Sequence, residues 1–183
     1  MKISNRAAGC AALAIILLAV GCATEPFHNP LPTVRHVDLA RYTGAWFEIA
    51  SYPAFFQRGC TGSTASYEAL PNGRIQVTNR CWKAGRLETA RGIATVVPDS
   101  GNARLKVRIG PVPFAGDYYV IGLDDRDYRW AVVGHPSRNY LWILSREPQM
   151  SPGRYDKIVA EVQRLGYDPT RIVRTDQSRN LAR

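Results

Sequence analysis

The chain has 183 residues, 45% of them hydrophobic, with 24 Lys and Arg against 15 Asp and Glu, giving a formal net charge of +9 and a pI near 9.7. That length and apolar content build one core, leave no room for two, and exclude a chain too polar to fold. The basic residues are scattered singly, without a block of five, so no nucleic-acid partner is expected and anionic head groups suit the charge better.

Ala7 to Gly21 is a run of small and apolar residues behind Lys2 and Arg6, ending in Ala19-Val20-Gly21-Cys22. A basic start, a short apolar stretch and a small residue before the cut make a secretory signal over residues 1–21. Because the cut precedes a cysteine, the segment is similar to a bacterial lipobox, which implies a mature chain starting at Cys22 with acyl chains on its sulfur and amine. A transmembrane helix fits less well, since the run rises only about 22 Å against a hydrocarbon core of roughly 30 Å. Residues 22–39 carry Pro26, Pro30 and Pro32 and read as an extended, solvated tether.

From Gly44 onward the pattern changes to short segments rich in Val, Ile, Tyr and Trp, broken by Gly, Pro, Asn and Asp. Strands are predicted at 44–52, 63–69, 74–82, 87–97, 103–109, 117–123, 129–135 and 140–146. Such strands bury one face and leave no long edge if they close as an eight-stranded up-and-down antiparallel barrel, an all-β fold. Pro71-Asn72-Gly73 folds a hairpin that brings Cys60 close to Cys81. In an oxidising compartment that isolated pair reads as a disulfide, and two thiols without nearby His offer too few ligands for a metal.

The period then switches. Ser151-Pro152 supplies an N-cap and a first-turn proline, Tyr155, Ile158, Val159, Val162 and Leu165 repeat at three and four residues, and Gly166 stops the helix. Its apolar stripe is expected to pack outside the barrel. Ile172 and Val173 can add a short ninth strand, the barrel domain spans 40–175, and 176–183 reads as a tail.

Three short motifs now align with these elements. Gly44-Ala45-Trp46 opens the first strand, Asp127-Tyr128 lies in the turn between the sixth and seventh, and Arg146 ends the eighth. Together with Tyr42 to Ala50, Ala65-Ser66-Tyr67 and Tyr140 to Arg146, they resemble the lipocalin family. The likeness is to the branch of bacterial outer-membrane lipoproteins and their animal apolipoprotein relatives. The resemblance implies that Arg146 stacks on Trp46 at the closed end of the barrel. Arg126 stands where the family usually has Thr, so that turn must be held differently.

The resemblance further implies an apolar pocket lined by Tyr42, Tyr67, Tyr118, Tyr140 and Trp142, and an outer-membrane lipoprotein facing the periplasm. It would bind, store or transport lysophospholipids or fatty acids for envelope maintenance. By alternation, Glu48 and Ala50 share the inward face of Trp46, and an inward carboxylate needs partners. Arg58, on the first loop, is a candidate for the ligand head group. The alternative is a structural envelope lipoprotein whose filled barrel acts through protein partners. Catalysis is not expected: His28, His36 and His135 lack metal-ligand spacing, no Gly-x-Ser-x-Gly occurs, and no free thiol remains. No cofactor is implied, and a homodimer is compatible with the family.

Overall fold

The computed structural model describes residues 29–111 and 113–181; the signal segment and Cys22 lie outside the described residues. Eight antiparallel strands, β1 (Gly44–Ser51), β2 (Thr61–Ala69), β3 (Ile75–Lys83), β4 (Arg86–Val96), β5 (Arg104–Ile109), β6 (Gly116–Leu123), β7 (Trp130–Gly134) and β8 (Leu141–Ser145), follow one another around the sheet. β1 pairs with both β2 and β8, which closes the barrel. A short helix α1 (Leu39–Tyr42) precedes β1, and Asp38 caps it by accepting from the amides of Ala40 and Arg41.

Strand alternation sorts the apolar side chains into two cores. Trp46, Tyr67, Ile75, Val77, Ala94, Leu105, Val120, Val133 and Leu144 fill the barrel interior. Ile49, Ala50, Ile121, Val132, Leu141 and Ile143 face outward, under helix α2 (Pro152–Arg164). That helix lays Ile158 and Val162 into this second core, and Gly166, at φ +87°, ends it while the Tyr167 amide reaches back to the Val162 carbonyl. Ser151 holds the N-cap position, yet its hydroxyl makes no cap bond.

Three expectations are corrected. A bulge between Glu48 and Ala50 slips the β1–β8 register, so Glu48 stays inward while Ala50 joins Ile49 in the outer core. The extended tether does not continue to residue 39. Leu31 and Val37 are buried, and the amides of Val34 and Val37 donate to the carbonyls of Val120 and Gly101, so residues 31–37 are a strap along the barrel wall. Their third-residue spacing, Leu31, Val34 and Val37, is the periodicity of one face of a polyproline II helix.

The segment expected as a tail is also structural. Strand β9 (Val173–Arg174) pairs with Ala50 and Ser51, where β1 has parted from β2. Gln177, 6% exposed, donates from its amide to the carbonyls of Glu48 and Ser63, and Asn180 of helix α3 (Ser178–Leu181) donates to Gly62. The C-terminal segment thus stitches the upper ends of β1 and β2. Cys60 and Cys81 form a disulfide beside this seam.

Candidate ligand-binding site

Up-and-down connectivity puts α1 and the β2–β3, β4–β5 and β6–β7 turns at one end of the barrel, with the four remaining turns at the other. The first end is shut. Arg146 places its guanidinium carbon 3.7 Å from the Trp46 ring centroid and donates to the carbonyls of Arg41, Tyr42, Thr43, Ala45 and Tyr128. Burial lowers its pKa from the ordinary arginine value. Tyr128, at φ +55°, is buried and accepts from the Asp38 amide through its hydroxyl, with Arg41 stacked over its ring. Asp127 points outward to Arg129 at 3.2 Å. In place of the absent Thr, Asp124 holds the turn by accepting from the amides of Asp127 and Arg129.

Above this floor, three phenols meet in the middle of the barrel. The Tyr118 hydroxyl lies 2.7 Å from that of Tyr42 and 2.9 Å from that of Tyr67. Desolvation raises the pKa of all three, that of Tyr67 to about 12, and proximity to the other phenols adds to the shift at Tyr42 and Tyr118. Beneath them, Val37, Ile75, Ala94, Leu105 and Val120 surround a void of about 10 Å³, room for one water at most. These tyrosines therefore form the base of any larger ligand space.

The upper half is different. The inward positions of β3, β4 and β6 become Asn79, Ala90, Gly92 and Gly116, and all of these except half-buried Gly92 are exposed. Small side chains there leave a mouth open to solvent. One wall is aromatic: Phe55, Phe56, Tyr140 and Trp142 follow in sequence with centroid spacings of 5.3, 6.3 and 6.0 Å, and the last two rings are nearly parallel.

Beside this wall is a polar network that alternation alone does not reveal. Glu48, 7% exposed, accepts from Ser51 Oγ at 3.0 Å, Gln57 Nε2 at 2.7 Å and Thr175 Oγ1 at 2.6 Å, and it takes part in none of the described salt bridges. Gln57 in turn accepts from Trp142 Nε1 at 2.9 Å. This chain fixes the indole in the calyx wall through a carboxylate held by neutral donors. Of the residues expected in the pocket, the structure joins Tyr42, Tyr67 and Tyr118 at the base and Tyr140 and Trp142 near the mouth. Gln57 and Phe56 were not foreseen; their signal is a Phe-Phe-Gln step in a loop that must cross the mouth.

A closed base, an open mouth and an Arg over the Trp of β1 define this architecture, and a family model described as a lipocalin-like domain matches residues 37–177. The chain is a lipocalin. It is 38% identical to temperature-induced lipocalin-1 of Arabidopsis thaliana over 81% of this chain and 83% of that one. It is 35% identical to outer membrane lipoprotein Blc of Escherichia coli over 91% and 94%, and 28% identical to mouse apolipoprotein D over 80% of each. Among solved structures, insecticyanin from the tobacco hornworm Manduca sexta superposes with a TM-score of 0.65 at 19% identity, covering 81% and 85% of the two chains.

Proposed function

We propose that this lipocalin is an outer-membrane lipoprotein, anchored through Cys22 with its barrel in the periplasm, whose calyx holds the acyl chain of a lysophospholipid or fatty acid during envelope maintenance. The observation that carries the reading is the contrast along the barrel axis. On β3 to β6 the inward side chains below Tyr118, among them Ile75, Val77, Leu105 and Val120, are apolar and buried, whereas Asn79, Ala90 and Gly116 above it are short and exposed. An acyl chain lowered past Tyr140 and Trp142 exchanges water for apolar wall, at about 0.8 kcal/mol per methylene. Eight to ten buried groups give about 6 to 8 kcal/mol before ordering costs, which corresponds to micromolar binding.

The head group stays at the mouth, where Arg58 is exposed on the β1–β2 loop. The test is lipid extraction from the protein purified out of envelopes, wild type beside Gly116→Trp. A Cβ at Gly116 meets nothing closer than the Val107 carbonyl at 3.9 Å, so the indole enters the calyx without disturbing the wall. Wild type carrying single-chain lipid and a folded variant carrying none supports the reading. Lipid absent from both returns the barrel to a structural role through protein partners.

A further inference from the structure

Four large apolar side chains stand in solvent on the turns and strand ends of the open end: Phe55 (76% exposed), Phe56 (53%), Leu87 (51%) and Phe114 (73%). Folding leaves such groups exposed singly as a matter of course, but here they share one rim of the molecule. Phe56 also begins the ring series that descends through Tyr140 to Trp142, so the exposed rim and the calyx wall are one continuous apolar surface.

Charge is distributed along the same axis. The turns and strand ends of the open end carry Arg58, Lys83, Arg86 and Arg138 against Glu88, while Asp117 is paired with Lys106 at 2.7 Å. The turns and strand ends of the closed end carry the acids Asp38, Glu68, Asp99, Asp124, Asp125, Asp127 and Glu147, offset by Arg41, Arg74, Arg126, Arg129 and Arg146. An anionic surface therefore attracts the mouth more than the base.

The path of the chain supplies the third observation. Arg138, in the β7–β8 turn of the open end, donates to the Asn29 carbonyl at 3.0 Å, and from there the strap runs toward the closed end at Gly101. The described chain thus starts level with the mouth. Between Asn29 and Cys22 the covalent chain reaches at most about 25 Å. An acylated Cys22 keeps the mouth, rather than the base, next to the bilayer.

We propose that the open end of the barrel lies face-on against the anionic bilayer holding the anchor, with Phe55, Phe56, Leu87 and Phe114 entering the head-group region. The Phe56–Tyr140–Trp142 series then admits an acyl chain directly from the membrane. This inference rests on the lipidation of Cys22 and on the calyx reading above. Aromatic and aliphatic tips in the interface, flanked by Lys and Arg, are a recognised mode of peripheral attachment.

The experiment uses the full lipidated chain in vesicles of phosphatidylethanolamine and phosphatidylglycerol. An environment-sensitive fluorophore is placed through Asn139→Cys at the open end or Asn72→Cys at the closed end. The open-end label shifts to the blue and is quenched by lipids brominated on their acyl chains, while the closed-end label stays water-like. Two water-like labels on vesicle-bound protein, a quenched closed-end label, or release of the chain from the vesicles each overturn the proposal.

A second variant separates docking from binding. Leu87→Ser with Phe114→Ser, two exposed side chains outside the aromatic wall of the calyx, slows lipid pick-up from these vesicles by about tenfold, yet leaves affinity for monomeric lysophospholipid within about twofold. Unchanged pick-up overturns the proposal, and failure of wild type to bind monomeric lipid locates the error in the calyx reading.

Discussion

Replacing Arg146 with Ala is the severest single test of how the closed end is built. Its guanidinium donates to Ala45 at 2.7 Å, Arg41 at 2.7 Å, Thr43 at 2.9 Å, Tyr42 at 3.2 Å and Tyr128 at 3.3 Å, and it covers the face of fully buried Trp46. Five charge-assisted bonds at about 1.5 to 3 kcal/mol each do not add, because water replaces the guanidinium at the exposed carbonyls of Arg41 and Ala45. The uncompensated part is the cation–π contact, about 1 to 2 kcal/mol, plus one or two bonds in the shielded floor. The expected loss is about 3 to 4 kcal/mol, or a fall in Tm of roughly 10 °C for a domain of this size.

Urea unfolding of the Cys22→Ser chain, followed by tryptophan fluorescence, measures that loss. Arg146→Lys recovers less than half of it, since one ammonium cannot fan across five acceptors. Lipid affinity of the folded variants is unchanged, because the ligand space lies above the tyrosine layer. A loss below about 1 kcal/mol, or full rescue by Lys, refutes the reasoning.

Cys60→Ser with Cys81→Ser opens a loop with a sequence separation of 21 and is expected to cost about 3 kcal/mol by chemical denaturation. Glu48→Gln keeps one acceptor oxygen for Ser51 and Thr175 but turns an NH2 toward the donor Nε2 of Gln57; the expected cost is about 1 to 2 kcal/mol, with a change in Trp142 emission through Gln57. The tyrosine layer predicts alkaline instability. With Tyr67 and Tyr167 raised to about 12 and Tyr42 and Tyr118 raised well above their ordinary value, the native state retains protons that the unfolded state loses above about pH 10. Stability is therefore full below pH 10 and falls as pH rises from about 10 to 12; Tyr118→Phe is expected to reduce that slope in thermal melts across the range.

Much of the barrel is legible in the sequence because its physics is local. Alternation and turn residues mark the strands, and the spacing of Ile158, Val162 and Leu165 marks the outer helix. Gly44, Trp46 and Arg146 are readable as a set only through the resemblance to lipocalins, since nothing local links residues a hundred positions apart. The Ile49–Ala50 bulge was illegible because one inserted residue leaves no compositional trace while reversing the face of the residues that follow. The strap was hidden by its prolines, which signal extension but not whether the extended chain is solvated; only the Leu31, Val34 and Val37 spacing separates the two.

Gln177 and the Glu48 network were illegible for another reason. Thr175, which donates to Glu48, and Ser63, which accepts from Gln177, are each more than a hundred residues from their partner and meet it only when the C-terminal segment docks on the closed barrel. The pocket tyrosines were identified as a group, but which of them face ligand space depends on where the interior narrows. That is set by the sizes of Ala90 and Gly92 on β4, a strand that carries none of the tyrosines, and of Gly116, which lies on the strand of Tyr118.

The central claim is that the upper barrel is a ligand space for one acyl chain. Its most direct test is titration of the Cys22→Ser chain with a lysophospholipid and with a fatty acid, read through tryptophan fluorescence and repeated with Trp142→Ala. Saturable, micromolar, one-to-one binding is expected, with signal and affinity in the variant both falling out of proportion to any loss of Tm. No saturable change at millimolar lipid contradicts it.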